Sequence, residues 1–239
     1  MPFNRSSISS TISLPPPFKM PPHLVFGAGS FGDAKDGFVY TFGTPEKVTE
    51  VLDVLQRLDI TELDSAAGYP VNGIPGQTEE LLGESKAIER GFSICSKVQV
   101  VDLNGGHMSD ELITASIDRT LASLGTSKLD LYYSHFPDPL TPLEEQAKSL
   151  NKQYLAGKFE RVCFPWTPTT LRNTNTENRQ LGICNYTAKE TEQFFAICQE
   201  KGYIKPSVYQ GQYNPLQRQS EDDLFPVLRA HNCAFYAYR

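Results

Sequence analysis

From Leu24 onward the chain alternates between two kinds of segment, and that alternation restricts its fold more than any other feature. Short apolar runs rich in β-branched and aromatic residues read as strands: "LVFGAGSF", "ITELDSA", "FSICSKVQV", "LDLYYSHF", "LGICNY", "SVYQGQYN" and "CAFYAY". Helical patterns fall between them. "TPEKVTEVLDVLQRL" offers Thr44 as N-cap and Pro45 at the first helical position, and it spaces Val48, Val51, Leu52, Leu55 and Leu58 along one face. "SDELITASIDRTLASLG" is capped by Ser109 and stopped by Gly125, with Leu112, Ile113, Ile117, Leu121 and Leu124 as its apolar stripe. "TAKETEQFFAICQEKG" opens on a Thr187 and Glu190 capping box and closes on Gly202.

Strands separated by helices form βαβ units and a parallel sheet, which makes the chain α/β. Seven such strands in series predict a (β/α) barrel rather than an open doubly wound sheet. The open sheet would need a phosphate fingerprint, for which "GAGSFG" at 27–32 is the only candidate. It matches the glycine spacing formally, but "DAKDGFVYTFG" after it carries no helical apolar period.

Composition narrows the function classes. The 239 residues are 39% hydrophobic and 21% charged, enough for one large core. A net charge of −6 without any block of like charges leaves no electrostatic footprint for nucleic acid. No apolar run approaches the ~18 residues of a membrane span. The five cysteines, Cys95, Cys163, Cys184, Cys198 and Cys233, contain no CxxC spacing, which predicts reduced thiols in a cytoplasmic protein and neither a disulfide framework nor a zinc site. Residues 1–22, "MPFNRSSISSTISLPPPFKMPP", are Ser- and Pro-rich without an acid. They read as a disordered leader, or as sequence upstream of a start at Met20, because Pro opposes the amphipathic helix of a transit peptide.

In a parallel barrel the C-terminal ends of the strands share one face, and that face carries the chemistry. Here consecutive strands end in different polar groups. The second ends in Asp64, with Tyr69 in the loop after it; the third ends in Lys97, the fourth in His135 and the fifth in Asn185. The sixth carries Gln210 and the seventh closes on Tyr238. A carboxylate at the mouth of a strand needs a partner cation, and Lys97 is that cation. Held charged by Asp64, Lys97 favours the phenolate and lowers the pKa of Tyr69, so that Tyr69 can act as an acid. His135 can orient a substrate carbonyl, Asn185 and Gln210 can hold a carboxamide, and Tyr238 can stack on an aromatic ring. The set describes nicotinamide-dependent hydride transfer.

The series Asp64, Tyr69, Lys97 and His135, with "GICNY" and "VYQGQYN" behind it, resembles the aldo-keto reductases. "YLAGKFE", "PSVYQGQYNPLQRQ" and "LFPVLRAHNCAFYAY" resemble their aflatoxin-aldehyde reductase branch. The likeness implies a (β/α)8 TIM-type barrel, here incomplete with about seven of eight strands, spanning residues 23–239. It implies NADPH as cofactor and a small-molecule aldehyde or ketone as substrate. Tyr69 would be the proton donor, Lys97 and Asp64 would tune its pKa, and His135 would orient the carbonyl. Asn185 and Gln210 would bind the carboxamide, and Tyr238 would stack on the nicotinamide. The branch also implies a homodimer.

Two departures accompany the resemblance. Residues 162–180, "VCFPWTPTTLRNTNTENRQ", have no apolar period and hold the only Trp, where a helix-to-strand loop of about 2–6 residues is usual. Without them "GKFERLGICNY" reads as continuous family sequence, so they are read as an irregular insertion, either a retained intron or a partner-binding loop. The sequence also closes on "AFYAYR", short of the segments that hold the pyrophosphate and the 2′-phosphate in that family. A second reading is therefore a non-catalytic binding subunit, as in the similar potassium-channel β subunits, and a third is an inactive fragment from a faulty gene model.

Overall fold

A computed structural model describes residues 23–33, 42–100, 104–159 and 181–239. The expected leader, 1–22, and the whole of the expected insertion, 162–180, lie outside the described residues. Among the described residues there are seven strands: β1 (Phe26–Gly27), β2 (Glu62–Asp64), β3 (Ser93–Lys97), β4 (Leu131–Ser134), β5 (Leu181–Cys184), β6 (Pro206–Gln212) and β7 (Ala234–Tyr238). Between them run α1 (Pro45–Arg57), α2 (Gln77–Glu84), α3 (Asp110–Leu124), α4 (Leu143–Leu155), α5 (Ala188–Lys201) and α6 (Leu224–Ala230).

Every adjacent pair is parallel, and the spatial order is the chain order, β1 through β7. A doubly wound sheet would reverse direction at a switch point, and no such reversal occurs. The sheet curls into the greater part of a (β/α)8 barrel, so closely that Gln210 on β6 hydrogen-bonds Asp64 on β2 across its concave face.

Period-two alternation assigns the two faces. Cys95, Leu131, Tyr133, Cys184 and Val208 pack together on the concave side, with Tyr236 against them. Ile94, Tyr132, Ile183 and Tyr209 point the other way and join the layer beneath the helices with Leu52, Ile117, Leu150 and Phe194. Burial on both faces is why these strands read as nearly continuous apolar runs.

The three expected helices form with their expected caps. Thr44 accepts from Lys47 N, Ser109 accepts from Leu112 N, and Thr187 and Glu190 close a reciprocal box. Gly125 and Gly202 end their helices with φ of 65° and 69°, a left-handed conformation open to glycine at no steric cost. The apolar stripes are narrower than the sequence implies: Leu58 is 63% and Leu112 39% exposed, because Leu58 falls past the last turn of α1 and Leu112 lies in the first turn of α3. Among the described residues, no helix is long and apolar enough to cross a membrane.

Candidate active site

The polar strand ends converge as expected. Asp64 and Lys97 close β2 and β3, and Lys97 Nζ donates to Asp64 Oδ2 at 2.7 Å and to the carbonyl of Ser65 at 2.7 Å. The Lys97 side chain is wholly buried while Asp64 keeps 15% exposure. Burial, the largest single influence, disfavours the ammonium, but the Asp64 carboxylate and its hydrogen bond, together with the Tyr69 and Cys184 groups, outweigh it and keep the pKa of Lys97 above its ordinary value.

Tyr69 sits in the β2–α2 loop. Its N–H donates to Ala66 O and its carbonyl accepts from Gly76 N, which fixes the turn. Gly29 flanks the ring: a Cβ there would stand 3.4 Å from Tyr69 Cε2. Lys97 Nζ lies 5.1 Å from the centroid of the Tyr69 ring, and the His135 ring meets that ring edge-on at 6.0 Å. The net effect on Tyr69 corrects the sequence reading. Burial raises its pKa above the ordinary phenol value; the Lys97 charge acts downward, as expected, but does not overcome burial. Tyr69 is therefore a protonated phenol at neutral pH.

His135 follows β4 directly. Burial, then the nearby Lys97 charge, then His107, hold its pKa down at about 3, so the imidazole is neutral. Its backbone carbonyl accepts from Asn185 Nδ2 at 2.9 Å, and Asn185 Oδ1 accepts from the Tyr238 hydroxyl at 2.9 Å. Asn185, just past β5, adopts φ 64°, a conformation Asn tolerates better than most residues. Gln210 Nε2 donates to Asp64 Oδ1 at 3.0 Å, and Cys184 Sγ lies 3.7 Å from Gln210 Oε1. All seven expected site residues thus belong to one connected group at the C-terminal mouth of the sheet.

Three further residues stand behind it that the sequence reading did not identify. Asp138 is buried in the β4–α4 loop and accepts four hydrogen bonds, from Gly106 N (2.7 Å), Met108 N (2.9 Å), Leu140 N (2.9 Å) and Thr141 Oγ1 (2.7 Å). Burial opposes its ionisation, but these donors prevail and hold its pKa at about 2. The clamp fixes the β3–α3 loop around His107, itself buried, with Nε2 3.3 Å from Phe136 O. Glu79 of α2 is buried behind β3 and accepts from Ser96 Oγ and Thr120 Oγ1; burial raises its pKa. Asp138 between two prolines in "FPDP" was legible as a turn, whereas nothing in "GQTEELL" marks Glu79 as buried.

Beside Asn185 opens a cavity of about 580 Å³. Its walls include Phe136, Pro139, Pro142 and Leu143, with Glu190 at one side.

Comparison with known proteins identifies the family and the fold. The model of the aldo/keto reductase family matches residues 23–164 and 178–239. The chain is 35% identical over 219 residues to oxidoreductase sirO of Leptosphaeria maculans, covering 91% of this chain and 59% of that protein. It is 31% identical over 181 residues to aflatoxin B1 aldehyde reductase member 4 of Homo sapiens, covering 74% of this chain and 47% of that one. The chain thus spans about half the length of these relatives. A crystal structure of a thermostable aldo-keto reductase bound to the inhibitor epalrestat superposes with a TM-score of 0.68 at 24% identity, covering 91% of this chain and 68% of that one. That likeness speaks to the fold.

Proposed function

Because this chain belongs to the aldo/keto reductase family, we propose that it reduces aldehydes or ketones to alcohols with NADPH, Tyr69 serving as the proton donor. The observation that carries the reading is the stack of Asp64, Lys97 and Tyr69, with a 2.7 Å ion pair beneath the phenol and His135 edge-on beside it.

The carbonyl oxygen of a substrate sits between the Tyr69 hydroxyl and the His135 imidazole. His135, neutral above about pH 3, donates a hydrogen bond and orients the oxygen without adding a charge. Tyr69 then gives its proton to that oxygen. Lys97 stabilises the phenolate left behind, and Asp64 keeps Lys97 in place. The chemistry of Asn185 and Gln210, two primary amides at the mouth of the sheet, suits the carboxamide of a nicotinamide, and the Tyr238 ring stands next to Asn185. When bound, the reduced nicotinamide supplies the hydride to the carbonyl carbon. The apolar walls of the adjoining cavity suit the body of a substrate such as an aryl or alkyl aldehyde.

Incubating the purified chain with NADPH and a panel of aldehydes and ketones tests the proposal. Loss of reduced-nicotinamide absorbance with an equal amount of alcohol formed is the expected result. No consumption with any carbonyl compound would overturn it.

A further inference from the structure

We infer that Gln210 is a positioning residue for the Asp64 and Lys97 pair: by holding Asp64 Oδ1 from across the sheet, it fixes the carboxylate that anchors Lys97 against Tyr69. The inference rests on the proposed role of Tyr69 and gives Gln210 a task beyond facing a carboxamide.

Asp64 has two oxygens and each has its own partner. Lys97 Nζ binds Oδ2 at 2.7 Å and Gln210 Nε2 binds Oδ1 at 3.0 Å. Lys97 alone would leave the carboxylate free to rotate about its χ2, because one contact does not fix a planar group. The second contact comes from β6, while Asp64 belongs to β2, so no local element supplies it. Gln210 is itself braced, since its Oε1 faces Cys184 Sγ at 3.7 Å. The chain of contacts therefore runs from Cys184 through Gln210 and Asp64 to Lys97, and Lys97 lies 5.1 Å from the Tyr69 ring.

The direction of the effect follows from charge. An N–H directed at Asp64 stabilises and partly offsets its negative charge. Removing that donor leaves a more negative field at Tyr69, which disfavours the phenolate. The titratable groups facing Tyr69 are Lys97, Asp64, Cys184, His135 and Tyr238. Gln210→Met replaces none of them; of these groups Gln210 touches Asp64 and Cys184, and the change removes its hydrogen bond to Asp64.

The test uses the ligand-free chain first. A stopped-flow jump to alkaline pH reads phenolate absorbance, and subtracting the same curve from a Tyr69→Phe partner isolates Tyr69. Gln210→Met should move the Tyr69 titration upward by a fraction of a pH unit, and Gln210→Asn, an amide one methylene too short to reach, should do the same. Should Gln210→Met fail to fold, Gln210→Asn carries the test. With NADPH saturating, the alkaline limb of kcat should move by the same amount. An unmoved Tyr69 titration in a folded variant would overturn the inference, even if NADPH affinity fell. If the unaltered chain consumes no NADPH, the proposed function fails, while the ligand-free titration still decides the role of Gln210.

Discussion

Gly182 on β5 and Tyr133 on β4 are partners in register, and the Tyr133 ring occupies the space where a side chain at Gly182 would stand. The ring is wholly buried on the concave face of the sheet and lies against Lys97, whose Nζ is 5.6 Å from its centroid. Gly182→Ala inserts a methyl group into that ring and should destabilise the fold by about 1–3 kcal/mol. Urea unfolding checks it: the midpoint should fall with the slope unchanged. An unshifted midpoint would mean that the ring moves aside freely.

Tyr69→Phe removes one hydroxyl and little volume. Carbonyl reduction should fall by at least about a hundredfold, the usual worth of a positioned acid, while NADPH affinity stays within a few-fold. Steady-state rates and a cofactor binding titration read the two quantities separately. Near-normal turnover would remove Tyr69 from the mechanism.

Lys97→Met should act in two ways. Asp64 loses its buried counter-charge, and breaking such a pair costs about 3–5 kcal/mol where both partners are buried, less here because Asp64 is partly exposed. Tyr69 also loses the one charge that pulls its pKa down. The alkaline limb of the rate profile should therefore move to higher pH and the rate at neutral pH should fall. An unchanged profile in a folded variant would uncouple Lys97 from Tyr69.

His135 makes stability depend on pH with a definite sign. Its folded pKa, about 3, lies below the unfolded value near 6.5, so the unfolded chain binds the extra proton between these limits. Stability associated with His135 is full above about pH 6.5 and is lost as the pH falls toward 3, at up to about 1.4 kcal/mol per pH unit. Comparing urea midpoints of the chain and of His135→Gln across this range isolates the effect. Parallel curves would show that His135 protonates equally well in the folded state.

Much of the fold was legible because the decisive signals are local. Thr44, Ser109 and Thr187 cap their helices with their own side chains, and the βαβ alternation, which makes the strands parallel, places the strand-end residues Asp64, Lys97 and His135 at one mouth of the sheet. What stayed hidden depends on distance and burial. Helix α2 starts after Gly76 at φ 94° with no side-chain cap, so "GQTEELLGE" carries no N-terminal signal. Helix α6 contains Pro226 within its first turn, where a proline is tolerated but reads as a breaker. The sign of the Tyr69 shift depends on desolvation, which residue types alone do not express. The bond between Gln210 and Asp64 spans 146 positions and exists only because the sheet curls.

The Asp138 clamp bears on motion. One carboxylate ties amides of the β3–α3 loop to its own β4–α4 loop, so the two loops lose their independent freedom together. Loops beside a binding cleft ordinarily surrender that freedom when a guest arrives, and the entropy is subtracted from affinity. Here the subtraction is made during folding, and a guest meets walls already still. In deuterium exchange the amides of Gly106, Met108 and Leu140 should lose their protons together, at one rate, set by the opening of a single carboxylate.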